Sequence, residues 1–107
     1  MEIELAVYNI IKKGINKRKE QFAMTELLEE IKKIGLNKTL ACYTIYLSLT
    51  KPLKTKDGTF TEPLLIEVPR WKIDNKQGFL YSLNQKWRNT DEKEAIDVLI
   101  SCNNRFC

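Results

Sequence analysis

Two tryptophans in this chain are each flanked by bases, Arg70-Trp71-Lys72 and Lys86-Trp87-Arg88. A positive strip interleaved with aromatic rings can hold phosphates while the rings stack on bases or cover sugars. Plain strand alternation produces the same pattern, with Trp inward and its basic neighbours outward. That simpler reading suits Trp71, which lies in an alternating stretch. Trp87 falls between a strand and a helix and is expected to be half-exposed. Lys54, Lys56 and Lys76, at expected turns, extend the same basic surface if both hairpins face one way.

Catalytic chemistry has little to draw on. The chain contains no histidine, which removes Ser-His and Cys-His nucleophile pairs, imidazole bases and His-containing metal sites. Cys42 and Cys102 sit among apolar residues, where a thiolate is disfavoured. The acids near strands, Asp57, Glu62, Glu67 and Asp74, form no pair with recognisable spacing beside a lysine. The glycines stand at turns or alone, so no phosphate-cradling loop is present. A non-enzymatic protein with no metal and no cofactor is expected.

Three cysteines, Cys42, Cys102 and Cys107, cannot all pair within one chain, and an odd count suits free thiols in a reducing cytoplasm. No apolar run approaches the roughly 20 residues that cross a bilayer. The start Met1-Glu2-Ile3-Glu4 carries acid where an export signal needs base. A cytoplasmic protein that does not engage membranes is expected.

Lys plus Arg number 18 against 14 Asp plus Glu, a net charge of +4. Residues 1–20 hold five bases and three acids, 21–50 three of each, 51–90 eight against four, and 91–107 two against four. Positive potential therefore concentrates on the middle segment and on Lys17-Arg18-Lys19, where it attracts phosphates. The C-terminal segment is acidic.

The elements that must position these residues describe a small α+β fold, one domain over 1–107. N-terminal helices come first, then antiparallel β-hairpins and a C-terminal helix. Ile3, Val7, Ile10, Ile11 and Ile15 recur at helical spacing, with Glu2 and Glu4 on other faces and fraying from Gly14 and Asn16 onward. A second helix begins with Thr25 as N-cap, buries Leu27, Leu28, Ile31 and Ile34, and pairs Glu29 with Lys33. Gly35 supplies its left-handed stop, and Leu36 the accompanying apolar contact.

Residues 38–49 admit two readings. Asn37 can cap a helix directly after the Gly35 turn. Ala41, Tyr43, Ile45, Leu47 and Leu49, however, alternate strictly with Cys42, Thr44, Tyr46, Ser48 and Thr50, as a strand would. The turn context favours the helix. A strand would remove the recognition helix described below.

Pro52 to Val68 reads as a hairpin about a type I′ turn at Asp57-Gly58, with Leu64–Val68 at the sheet centre. Arg70–Asp74 and Phe79–Leu83 make a second hairpin about Asn75–Gly78. A last helix runs from about Asp91 to Cys102, capped by Asn89 or Thr90, and packs through Ala95, Val98, Leu99 and Cys102.

This order resembles the winged helix-turn-helix superfamily over residues 1–68: a helix, Thr25–Ile34, the Gly35-Leu36-Asn37 turn, Lys38–Leu49, and a hairpin tipped by Lys54, Lys56 and Asp57-Gly58. In that family the recognition helix enters the major groove and the wing touches the backbone. The resemblance implies a groove-facing set Lys38, Thr39, Cys42, Tyr43 and Tyr46, with Lys54 and Lys56 on the wing. Beyond Lys38 the helix carries no Arg, Asn or Gln, the side chains that read base edges. Nucleic acid, DNA above all, is thus expected to be held mainly by its phosphates, through Lys38, Lys54, Lys56, Arg70, Lys72, Lys86 and Arg88, with Trp87 as a stacking group.

The other reading is a protein-binding module with Tyr43, Tyr46 and Phe60 at its interface. Small, basic, Lys- and Ile-rich domains without catalytic groups are typical of accessory or inhibitory proteins of viruses and mobile elements, anti-CRISPR proteins among them. An inhibitor of a nucleic-acid-processing complex would use Asp91, Glu92, Glu94 and Asp97 to mimic phosphates. Either reading accommodates a homodimer, since winged-helix proteins often pair through terminal helices.

Overall fold

The computed structural model describes residues 2–69 and 79–102. Arg70, Trp71, Lys72, Ile73, Asp74, the turn at 75–78 with Lys76, and Cys107 lie outside the described residues. The fold is α+β. The elements are α1 (Glu2–Asn16), β1 (Gln21–Ala23), α2 (Met24–Lys33), α3 (Lys38–Thr44), β2 (Leu65–Pro69), β3 (Phe79–Leu83), α4 (Gln85–Arg88) and α5 (Glu92–Ser101). α3 runs directly into a π-helical stretch, Ile45–Leu49.

In α1 the buried stripe is broader than the isoleucines alone. Ile3, Val7 and Ile11 are buried as expected, but so are Tyr8, which the sequence reading leaves unassigned, and Glu4, which it sets on another face. α1 does not fray: its C-terminal turn is closed by Lys19 N–H donating to the Gly14 carbonyl and Arg18 N–H to that of Ile15. This is the two-bond stop that satisfies the last carbonyls of a helix. Arg18 takes the left-handed position with φ 65°, where glycine is usual. Gly14 is glycine for a different reason. A Cβ there would lie 2.5 Å from Phe22 Cζ and 2.7 Å from the Lys19 carbonyl oxygen.

The chain then forms β1, a short strand that the polar run around it conceals. Ala23, extended, serves as the N-cap of α2, and the Glu26 carboxylate reaches back to accept from Ala23 N–H at 2.8 Å. Thr25 is therefore the second residue of the helix, within its first turn, and is not its N-cap. Leu27 and Ile31 are fully buried, whereas Ile34 is 58% exposed. Ile34 is the C-cap, past the last residue that shares the buried stripe. The Gly35 stop forms as expected: φ is 86°, Leu36 N–H donates to the Ile31 carbonyl at 3.1 Å and Gly35 N–H to Lys32 at 3.0 Å. Glu29 does not bridge to Lys33; Lys33 meets Glu30 at 3.2 Å and Glu29 meets Lys38 at 3.3 Å.

Residues 38–49 are helical. Asn37 Oδ1 accepts from Leu40 N–H at 2.9 Å. Ala41, Thr44, Ile45, Ser48 and Leu49 are buried, the i, i+3, i+4, i+7, i+8 pattern that marks one helix face. Thr44 tolerates burial because its hydroxyl donates to the Leu40 carbonyl at 2.9 Å. The apparent alternation arises because polar Thr44 and Ser48 point inward while Leu40, Tyr43 and Leu47 stand exposed.

The sheet order is β1-β3-β2, with both pairings antiparallel. Phe22, Tyr81 and Glu67 lie side by side across the three strands. β2 is an edge strand and β3 the centre, contrary to the expectation that Leu64–Val68 would be central. β3 holds the middle because it alone pairs on both sides. β2 and β3 form the hairpin of this sheet; the expected Pro52–Val68 hairpin is present only as a short antiparallel pairing of residues 53–55 with 59–61, outside the sheet, while residues 65–68 lie in β2.

Residues 54–60 make this small hairpin loop about Asp57-Gly58. Lys54 bridges Phe60, and Thr55 N–H donates to the Thr59 carbonyl at 2.8 Å. Only Gly58 has positive φ, so the connection is three residues long and not a two-residue I′ turn. The loop is tied to the end of α5 by a Thr55–Cys102 bridge and by Lys56 N–H donating to the Ser101 carbonyl at 3.1 Å. Asp57 organises it, accepting from Thr59 N–H at 3.1 Å, from the Thr59 hydroxyl at 2.8 Å, and from the Thr55 hydroxyl.

α4, a single turn capped by Asn84, carries Trp87 into the core. α5 is capped by Asp91 itself, whose carboxylate accepts from Glu94 N–H at 3.4 Å, in place of Asn89 or Thr90. Ala95, Leu99 and Cys102 are buried as expected, with Val98 half-buried.

Candidate nucleic-acid interface

The outward side of residues 38–49 is the most distinctive surface described. Tyr43 and Tyr46 are 57% and 59% exposed. Leu40 and Leu47 stand exposed on the same helix, with Thr39. Cys42 is a half-buried free thiol. The two leucines escape the sequence reading because strand-like alternation groups Leu47 with the apolar positions, and a helical reading sets Leu40 and Leu47 beside the Ala41-Ile45-Ser48 face. The 41-44-45-48-49 spacing, read with Thr44 and Ser48 as core residues, is the signal that would have found them.

Beneath this side lies Tyr81 of β3, almost fully buried. Burial first, and then the nearby Glu67, Cys42 and Tyr46, pushes its phenol above the ordinary tyrosine value. Lys38 opens the helix, with its ammonium held by Glu29 at 3.3 Å. The base-edge chemistry available on α3 is therefore tyrosine and threonine hydroxyl, with a single neutralised lysine.

The remaining expected site residues are dispersed. Lys54 and Lys56 are exposed on the loop bonded to α5. Phe60, 66% exposed, belongs to that same loop, so the three rings expected at a protein interface divide between two elements. Arg70 and Lys72 lie outside the described residues. Lys86 is exposed on α4. Arg88 is engaged by Glu20 at 2.6 Å. This contact lowers the Glu20 carboxyl and raises the Arg88 guanidinium, chiefly through the hydrogen bond and then through opposite charge.

Trp87 is not half-exposed. It is 4% exposed, its indole N–H donates to the Glu62 carbonyl at 2.9 Å, and its ring meets Tyr8 edge-on at 6.5 Å between centroids. A ring so enclosed offers no face for a nucleobase. The Lys-Trp-Arg triplet places Trp87 inward because α4 spends its one turn closing the core over α1. Trp87 is accordingly a packing residue that fastens the 61–64 segment to α1.

Among the described residues no group of three or more Cys, Asp or Glu side chains is arranged to hold a metal ion. No described helix is long and apolar enough to cross a membrane. Comparison with protein-family models, curated proteins and solved structures gives no match.

Proposed function

We propose that this chain is a non-enzymatic, winged-helix-type module that binds duplex DNA mainly through its phosphate backbone. The observation that carries the reading is the element order: α2, the tight Gly35 turn, a helix over 38–49 with Thr39, Tyr43 and Tyr46 outward, and then the antiparallel pair β2–β3. An α-helix fits the major groove of B-form DNA, whereas the deep, narrow groove of A-form RNA excludes it. Hydroxyls on the helix suit phosphates better than base edges, since bidentate readers are missing.

On this reading the wing is the β2–β3 pair, joined in sequence by residues 70–78, and not the 54–58 loop. Residues 70–78 hold Arg70, Lys72 and Lys76 against Asp74 alone. Lys54, Lys56 and Lys86, exposed and with no ion-pair partner among the described residues, supply further phosphate contacts. Lys38 and Arg88 contribute only by exchanging Glu29 and Glu20 for a phosphate. A reducing cytoplasm is the matching compartment, with Cys42 and Cys102 as free thiols.

Fluorescence anisotropy with a labelled mixed-sequence duplex, at low and moderate salt, tests the proposal. Binding at low salt that weakens steeply with added salt is expected. Arg70→Ala/Lys72→Ala should flatten the salt dependence by about two phosphate contacts. No binding at low salt overturns the reading.

A second reading, a protein partner or a second copy on the same helix, is favoured by the exposed Leu40 and Leu47 beside the two tyrosines. Clustered aromatic and aliphatic side chains are what interfaces bury. Light scattering that finds a dimer for the wild type and a monomer for Leu40→Ser/Leu47→Ser would support it; a monomer in both cases removes the homodimer.

A further inference from the structure

The basic cluster at the end of α1 is not used by the DNA-binding face, yet it borders a groove. This groove, about 380 Å³, runs between the C-terminal halves of α1 and α2. That volume lies in the range of small-molecule sites. Ile10, Phe22 and Ile34 give it apolar walls, and Asn9, Lys13 and Lys17 line its polar part.

The charges are unevenly committed. Lys19, also at the groove, is held by Glu26 at 2.9 Å with its ammonium 4.9 Å from the Phe22 ring centre. Glu30, the acid on the groove wall, is taken by Lys33 at 3.2 Å. Lys13 and Lys17 have no ion-pair partner among the described residues, and both are exposed. Two uncompensated ammonium groups thus share a concavity with an asparagine side chain and apolar walls.

The backbone beside the groove is closed by hydrogen bonds, Lys19 N–H to the Gly14 carbonyl and Arg18 N–H to that of Ile15. The closed turn after α1 fixes Lys17 and Lys19 on either side of Arg18, which holds a left-handed φ of 65° that a non-glycine residue adopts at a cost. Gly14 lets Phe22 pack against the helix backbone and form the wall. Ile34, left 58% exposed at the rim, has no packing role in the core. Cations at a helix C-terminus also answer the macrodipole, but that accounts for neither the cavity nor the isoleucine at its edge.

We propose that this groove binds a small organic phosphate: Lys13, Lys17 and Asn9 take the phosphate, and Ile10, Phe22 and Ile34 take the organic body. Lysine ammonium groups bind phosphate as point charges, with charge-assisted hydrogen bonds. The site goes beyond the DNA-binding reading and does not depend on it.

The test is a two-dimensional NMR titration of the full chain at low salt with adenosine monophosphate and, separately, inorganic phosphate. Adenosine monophosphate should shift the amides of residues 9–19 and the Phe22 ring. Lys13→Gln/Lys17→Gln, two exposed substitutions whose fold is checked by circular dichroism, should weaken that binding by at least about tenfold. Inorganic phosphate should bind more weakly than the nucleotide. Absence of nucleotide shifts, shifts confined to another face, or unchanged affinity in the double variant overturns the site. Equal binding of inorganic phosphate and the nucleotide overturns the apolar subsite.

Discussion

Single residues carry several consequences that can be measured by denaturant unfolding. Gly14 lies in a helix, where alanine is normally better by about 1 kcal/mol. Here the added methyl would meet Phe22 and the Lys19 carbonyl, so Gly14→Ala should destabilise by about 1–3 kcal/mol despite its propensity. Tyr8 offers the opposite case. Its hydroxyl is buried with no hydrogen-bond partner among the described residues, and burial followed by Glu92 and Asp91 raises its pKa. Tyr8→Phe is expected to leave stability unchanged or raise it by up to about 1 kcal/mol, because a buried unbonded hydroxyl is removed. Asp57 ties its loop through the Thr55 and Thr59 hydroxyls and the Thr59 amide, which lower its pKa from 3.8 to about 2. A depressed folded pKa contributes stability above the unfolded value, lost as pH falls through the folded one. Wild type should therefore exceed Asp57→Ala in unfolding midpoint at neutral pH, and the gap should close between about pH 4 and pH 2. Loss of the gap on going from pH 7 to pH 5 would contradict this assignment. Trp87 shows how little a triplet reveals alone: Lys86-Trp87-Arg88 looks like a binding strip, but the ring's place is decided by α1 and the Glu62 carbonyl.

Elements were legible where local chemistry decides them. Gly35 with Leu36, and Asn37 before Leu40, are backbone hydrogen-bond devices, so the α2–α3 turn could be read from adjacent residues alone. Asn37→Ala should cost about 1 kcal/mol by removing the cap, as measured by the urea midpoint. Elements set by distant partners were not legible. β1 is three residues long and exists because β3 pairs with it from sixty residues away. The Asp57-Gly58 turn was visible, but whether its arms joined the sheet depended on α5, which captures Thr55 and Lys56. The sheet hairpin is instead formed by β2 and β3. The helix over 38–49 was legible from its cap and obscured by its side chains, since Thr44 and Ser48 are core residues there.

At the scale of the whole molecule, the sequence supports an α+β class and a basic middle segment, and the structure places the described bases of that segment. Lys54 and Lys56 stand near the end of α5, Arg88 is neutralised by Glu20, and Lys38 by Glu29. Ion pairing thus takes Lys38 and Arg88 out of the free cations of the expected phosphate-binding set, while the net charge of +4 is unchanged. What remains distinctive is the outward side of α3 and its π-helical continuation, tyrosine-rich and nearly uncharged. The most direct test of the central claim is an amide chemical-shift footprint of the full chain with a mixed-sequence DNA duplex at low salt. The account predicts shifts concentrated at residues 38–49 and 70–78, reversed by moderate salt. A footprint that leaves residues 38–49 unmoved would contradict it.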